Sequence, residues 1–278
     1  MTTTASSTDA ASTHADHPGQ LSFARILNSE WIKLRSLRST VWSYAIMVVI
    51  SLGMAALMSL SLQLGPGALP AEEQTRFLVQ ASTFGVFFGQ LIVAVLGVLI
   101  ISGEYSTGMI RSTLTAVPKR LPALLAKALV LFVTTFVVGL ASTVGAFLMA
   151  SPILAGKGLQ ANLFDSDVLL PFLAAALYLA LVSVFALGLG AILRSSAGGI
   201  SAALGTILLL PIVVLMIPAQ WARDTVPYLL MNAGLGSFGL DAFGGPSPLE
   251  AWQQILVIIA WALATLVIGA ALLKRRDA

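Results

Sequence analysis

Residues 83–103 read Thr-Phe-Gly-Val-Phe-Phe-Gly-Gln-Leu-Ile-Val-Ala-Val-Leu-Gly-Val-Leu-Ile-Ile-Ser-Gly, with no Lys, Arg, Asp or Glu among them. A hydrocarbon core about 30 Å thick takes roughly 20 apolar residues of helix to cross. The apolar character is continuous and does not alternate, so a barrel strand is a poor description. Without water to satisfy free amides, a helix is the spanning structure left. Five further windows share the pattern: Val41–Leu62, Ala128–Ala150, Leu169–Leu193, Ile200–Pro218 and Ala251–Leu273. The expectation is an all-α polytopic membrane protein with six transmembrane helices, its membrane domain running from 41 to 273.

Composition agrees. Of 278 residues, 58% are hydrophobic and 10% charged, against about 25% charged in an ordinary soluble domain, and the mean hydropathy is +0.94. These values exclude a soluble enzyme, a nucleic-acid-binding module and a disordered chain. There is no cysteine for a disulfide, thiolate metal site or nucleophile. The two histidines, His14 and His17, lie in a polar N-terminal stretch.

Orientation follows from the positive-inside bias of Lys and Arg. Twelve of the fifteen flank one side with five acids, and Arg76, Lys157 and Arg223 flank the other with seven. The faces carry about +7 and −4, within the net +3. Both termini are therefore expected in the cytoplasm, in a plasma-membrane protein. Residues 1–20 are rich in Ser, Thr and Ala without Lys or Arg and are expected to be a disordered cytoplasmic tail. Residues 274–278 form a basic one.

Residues 21–40 differ from the spans. At helical spacing Phe23, Ile26, Leu27, Trp31, Leu34 and Leu37 share a face, while Arg25, Lys33 and Arg35 lie largely elsewhere. This predicts an amphipathic interfacial helix resting among cytoplasmic headgroups, Trp31 at the boundary and its bases near anionic lipid. Glu30 projects onto the apolar face, where it either remains a misfit or meets a polar partner within the protein.

Between spans two and three the chain reads Glu104-Tyr-Ser-Thr-Gly-Met-Ile-Arg111-Ser-Thr-Leu-Thr-Ala-Val-Pro118-Lys119-Arg120-Leu-Pro-Ala-Leu-Leu-Ala-Lys127. A short helix after Gly108, stopped before Pro118, is followed by a second helical run, Lys119–Lys127, with Leu121, Leu124, Leu125 and Ala128 on one side. The bases here serve either as topology signals or as a docking surface for a cytosolic partner. Glu104, a carboxylate at the membrane boundary, needs a pair or water.

The order E-Y-x-x-G-M-I-R-x-T-L-x-x-x-P-K-R…A-K over 104–127 resembles the segment between spans two and three of type-2 ABC transporter permeases. Residues 29–40 (SEWIKLRSLRST) are similar to the amphipathic helix that precedes span one in bacterial, especially actinobacterial, members. The resemblance implies the membrane subunit of an ATP-driven exporter for an amphipathic or lipophilic cargo. It works as a homo- or heterodimer with cytosolic ATPase subunits that hold the ATP and Mg. It makes Met109–Val117 and Lys119–Lys127 the coupling surface, with Glu104 and Arg111 at its start. A non-transporting sensor, resistance or scaffold component tied to an ATPase is the alternative.

Catalytic motifs fail. The one Gly-Lys pair, Gly156-Lys157, precedes Gly158 where a phosphate loop needs Ser or Thr. Gly234-x-Gly236-x-x-Gly239 lacks the strand and βαβ unit of a dinucleotide site. A Ser–His protease and a His-based metal site lack a histidine in any span, so no enzyme and no bound cofactor is expected. Inside the spans Gln90 is the most polar residue, either an interhelical bond or part of a path. Gly85 and Gly89 form a small-xxx-small face suited to close helix approach. Pro211 is expected to kink span five. Residues 219–250 are expected to form a partly re-entrant or interfacial lid, or else an inert outer loop.

Overall fold

The computed structural model describes residues 23–63, 70–106, 120–240, 245 and 247–275. Every described element is helical. In chain order they are α1 (Phe23–Ser36), α2 (Arg38–Ser61), α3 (Ala71–Thr83), α4 (Val86–Ser106), α5 (Arg120–Ala155) and α6 (Ser166–Leu193). After these come α7 (Ser196–Leu204), a π turn (Gly205–Leu209), α8 (Leu210–Leu215), α9 (Gln220–Thr225), a 3-10 turn (Val226–Tyr228), α10 (Leu230–Gly236) and α11 (Ala251–Arg275). Six helical stretches among the described residues are long and apolar enough to cross a membrane: α2, α3–α4, α5, α6, α7–α8 and α11. This is a multi-pass membrane protein.

α6 is the centre. It packs against α4, α5 and α11, and its side chains from Ala175 to Leu187 are nearly all buried. α2 and α11 are mostly exposed along their length, so their Val49, Leu57, Leu256 and Val267 face outward. Lipid tails are as apolar as leucine, so helices here gain little from hydrophobic burial and depend on close approach. Gly188 supplies it for α6 and α11, since a Cβ there would lie 2.6 Å from the Thr265 backbone. Gly85 does the same for α2, whose Ser51 backbone occupies the space a side chain would need, and Gly89 sits on Met47. The small-xxx-small face is therefore used within the chain.

Several expectations change. The helical run expected before span three is continuous with it. α5 runs unbroken for 36 residues, about 54 Å at 1.5 Å per residue, so it extends well beyond a bilayer core. Pro122 permits this because it sits in the first turn, where the backbone N–H lacks a helical partner anyway. Span two is preceded by α3, which the charged run Glu72, Glu73 and Arg76 concealed. In span five, Pro211 is accommodated by the widened π turn at 205–209. Its ring crowds the carbonyl four residues back, and widening the preceding turn makes room.

The 219–250 stretch is surface in part, with Trp221 and Tyr228 exposed, and buried in part. α10 is buried from Leu230 to Leu235, and Gly234 lies on the Tyr178 ring with no room for a side chain. Gly236 lies on Gln254, and Gly239 takes a positive φ of 81°. The three glycines that spell a nucleotide motif thus serve packing and a turn. At the same end, Lys157 Nζ donates to the carbonyls of Ser59, Leu60 and Leu62 at 2.8, 2.9 and 2.7 Å, closing the C-terminus of α2.

Replacing Gly188 by Val should cost about 1–3 kcal/mol through overpacking. The unfolding midpoint in detergent should fall, while Gly53→Val, where no atom lies within 4 Å of the new Cβ, should leave it unchanged.

Candidate functional site

The end of the bundle that carries Lys127, Arg194 and Lys274 is its basic end, and there α1 lies against α5. α1 turns Ile26, Glu30 and Leu34 inward, a stripe at i, i+4 and i+8, with Leu27 half-buried beside it. Phe23 and Trp31 face outward, 43% and 45% exposed, as do Arg25 and Arg35. The apolar wheel is therefore rotated toward Glu30 relative to expectation. The cause is a polar partner.

Lys127, about two turns into α5, donates from Nζ to Glu30 Oε2 at 2.5 Å and to Glu104 Oε1 at 2.8 Å. Lys33 donates to Glu30 Oε1 at 2.7 Å and reaches Glu104 Oε1 at 3.4 Å. Acid and base alternate around a closed, neutral ring drawn from α1, α4 and α5. Glu30 is 4% exposed, Lys127 6% and Glu104 8%. Removing ions from water is costly, and only mutual pairing with full hydrogen bonding makes it tolerable.

The ring's electrostatics are readable in its two α1 members. Burial by itself pushes the Glu30 carboxyl up, but the Lys127 and Lys33 ammonium groups outweigh it and hold it below its ordinary 4.5. Burial works against charge on Lys33, yet its bond to Glu30 and the charges of Glu104 and Glu30 hold it above its ordinary 10.5. A cavity of about 430 Å³ adjoins the ring, with Leu34, Leu37, Leu96, Leu99 and Ile100 among its apolar walls. Beside Glu104, Tyr105 lies under the Arg194 guanidinium at 5.2 Å, and Ser196 bonds Ser102 at 2.9 Å. These contacts tie α4 to the turn between α6 and α7.

Glu104 and Lys127 of the expected coupling surface thus meet Glu30 and Lys33 of the N-terminal helix. Arg111, Pro118 and Lys119, with Met109–Val117, lie outside the described residues, as do residues 1–22 and 276–278. Arg120 opens α5. Trp31 and Arg35 stand off the ring. Gln90 is elsewhere, fully buried in the spans, where it donates to the Phe87 carbonyl and accepts from the Tyr178 hydroxyl. This is an interhelical bond between α4 and α6. Sequence reading missed the ring, although Glu30 on an apolar face and Glu104 at the membrane boundary each called for a partner. Among the described residues, no group of three or more His, Asp or Glu converges as a metal site.

Compared with known proteins, the chain matches no family model, and no curated protein is significantly similar to it.

Lys127→Met leaves two buried carboxylates with only the half-buried Lys33. Breaking such a pair costs about 3–5 kcal/mol, and adding Glu30→Gln should recover part of the loss in a double-mutant cycle of unfolding midpoints. The pH dependence follows from the signs. Because the Glu30 value is lowered on folding, its stabilisation is complete above 4.5 and is lost as pH falls through the folded value. The Lys33 value is raised, so its share is complete below 10.5 and lost as pH rises through the folded value. Hydrogen-exchange protection of α1 amides, corrected for intrinsic rates, should be flat near neutrality and fall below pH 4.5. Glu30→Gln should remove that acid step.

Proposed function

We propose that this chain is the permease subunit of an ATP-binding cassette exporter in the plasma membrane, with its basic end in the cytoplasm. The observation that carries the reading is the ring. Glu104 ends one stem, and Lys127 lies on the other stem, of the segment 107–119 that joins α4 to α5. A push on that segment by a cytosolic ATPase reaches both stems and α1 together, because all three share one ionic knot. The resemblance of residues 104–127 to type-2 ABC permeases points the same way.

In this reading α1 is the interfacial helix, its outward Trp31, Arg25 and Arg35 meeting headgroups. Residues 109–127 form the coupling surface, with Arg111, Pro118, Lys119 and Arg120 toward the ATPase. The chain carries no phosphate-binding loop, so ATP and Mg belong to that separate subunit. The exposed apolar faces of α2 and α11 meet lipid or a second permease subunit, and cargo is amphipathic or lipophilic.

The natural chain has no cysteine, which makes single-cysteine scanning unambiguous. Cysteines at 111–124 should react with impermeant maleimide only in inside-out vesicles, and should crosslink to a co-expressed ATP-binding subunit. Glu104→Gln with Lys127→Met should leave ATP hydrolysis running while cargo movement drops. Labelling of position 119 from outside intact cells would sink the reading.

A further inference from the structure

A cavity of about 1010 Å³ lies at the end of the bundle opposite the ring, between α3, α5, α6 and the start of α11. It reaches Phe136 and Leu177, each near the middle of its helix, so it is deep as well as wide. Its walls are aliphatic and aromatic, with Phe136, Phe238, Leu170 and Trp252 among them. Drug-sized ligands occupy pockets of this order with a few polar groups fixing their orientation.

Its charged lining residues are two carboxylates and one guanidinium, a net negative balance. Glu72 opens α3 and Asp167 opens α6, both lining the cavity and exposed at its mouth. At the rim the Trp252 indole is oriented by its Nε1, which donates to Glu250 Oε2 at 2.6 Å. The one basic lining residue, Arg76, already has an interaction within the protein. Acids at helix N-termini also favour their own helices, but that explains neither the aromatic walls nor the cavity between them. Carboxylates above aromatic faces recognise a positive charge carried on an apolar body.

We propose that this cavity binds lipophilic cations, the apolar body between Phe136, Phe238 and Leu170 and the charge held near Trp252 by Glu72 and Asp167. As a cargo site it rests on the export reading. As a binding site it stands alone, and its test involves no ATPase.

The probe is radiolabelled tetraphenylphosphonium, with the purified full chain in phosphatidylcholine nanodiscs. Binding should saturate, with empty nanodiscs giving only linear partition. The isosteric anion tetraphenylborate should compete at least roughly tenfold more weakly than unlabelled cation, about one lost ionic or cation–π contact. Glu72→Gln with Asp167→Asn should raise Kd by a similar factor, Trp252→Leu should weaken binding, and Trp252→Phe should retain it. Equal competition by the anion on the unmodified chain would overturn the proposal and mark the cavity as a lipid-filled groove, whether or not the variants fold. Unchanged affinity in a double variant that folds would do the same. Tight cation binding without any cargo transport would leave this site standing and count against the export reading alone.

Discussion

An ionised group removed from water must find its counter-charge inside the protein, and at the basic end two acids and two bases satisfy that demand together. Lys127 bridges Glu30 and Glu104 at short range from the buried side. Lys33 closes the circuit from the half-exposed side. The sum is neutral, so the cluster needs no external ion. Because the members come from α1, α4 and α5, neutrality exists only when the three helices are assembled. α1 buries only Ile26 and Leu34 besides Glu30, so its attachment combines a small apolar contact with the ionic ring.

The same demand, scaled down to neutral groups, organises the spans. Gln90 meets Tyr178, Tyr44 meets Thr135 at 2.8 Å, and Thr265 donates to the Phe185 carbonyl at 3.1 Å. Each joins different helices, and beside Thr265 the small Gly188 lets the two backbones approach. In a hydrocarbon surround such bonds are worth about 0.6 kcal/mol on average, so the bundle is secured by many modest contacts around α6. The ring differs in kind, since removing one member strands charges.

The two ends of the bundle are chemically distinct. At one, opposite charges cancel in a buried knot that ties α1 to both stems of the segment 107–119. At the other, carboxylates predominate around a deep apolar cavity, while Lys157 spends its charge on the carbonyls that end α2. A force applied at the first end has a stiff path into α4 and α5, and α5 lines the cavity at the second through Phe136.

Much of this was legible in the chain and the rest was not, for a definite reason. Freedom from charge over some twenty residues is a local property, so six spans and the sign of each flank could be read directly. Glu30 on an apolar face announced a partner without naming it, because Lys127 is 97 residues away and Glu104 is 74. Helix α3, the unbroken course of α5 and the burial of α10 escaped for the same cause. Charged residues, an early proline and a run of glycines look like loop until neighbouring helices show what they pack against. Which helices exist follows from each segment's own cost of leaving water; which side chains pair follows only from the approach of segments far apart in the chain, and that is decided in three dimensions.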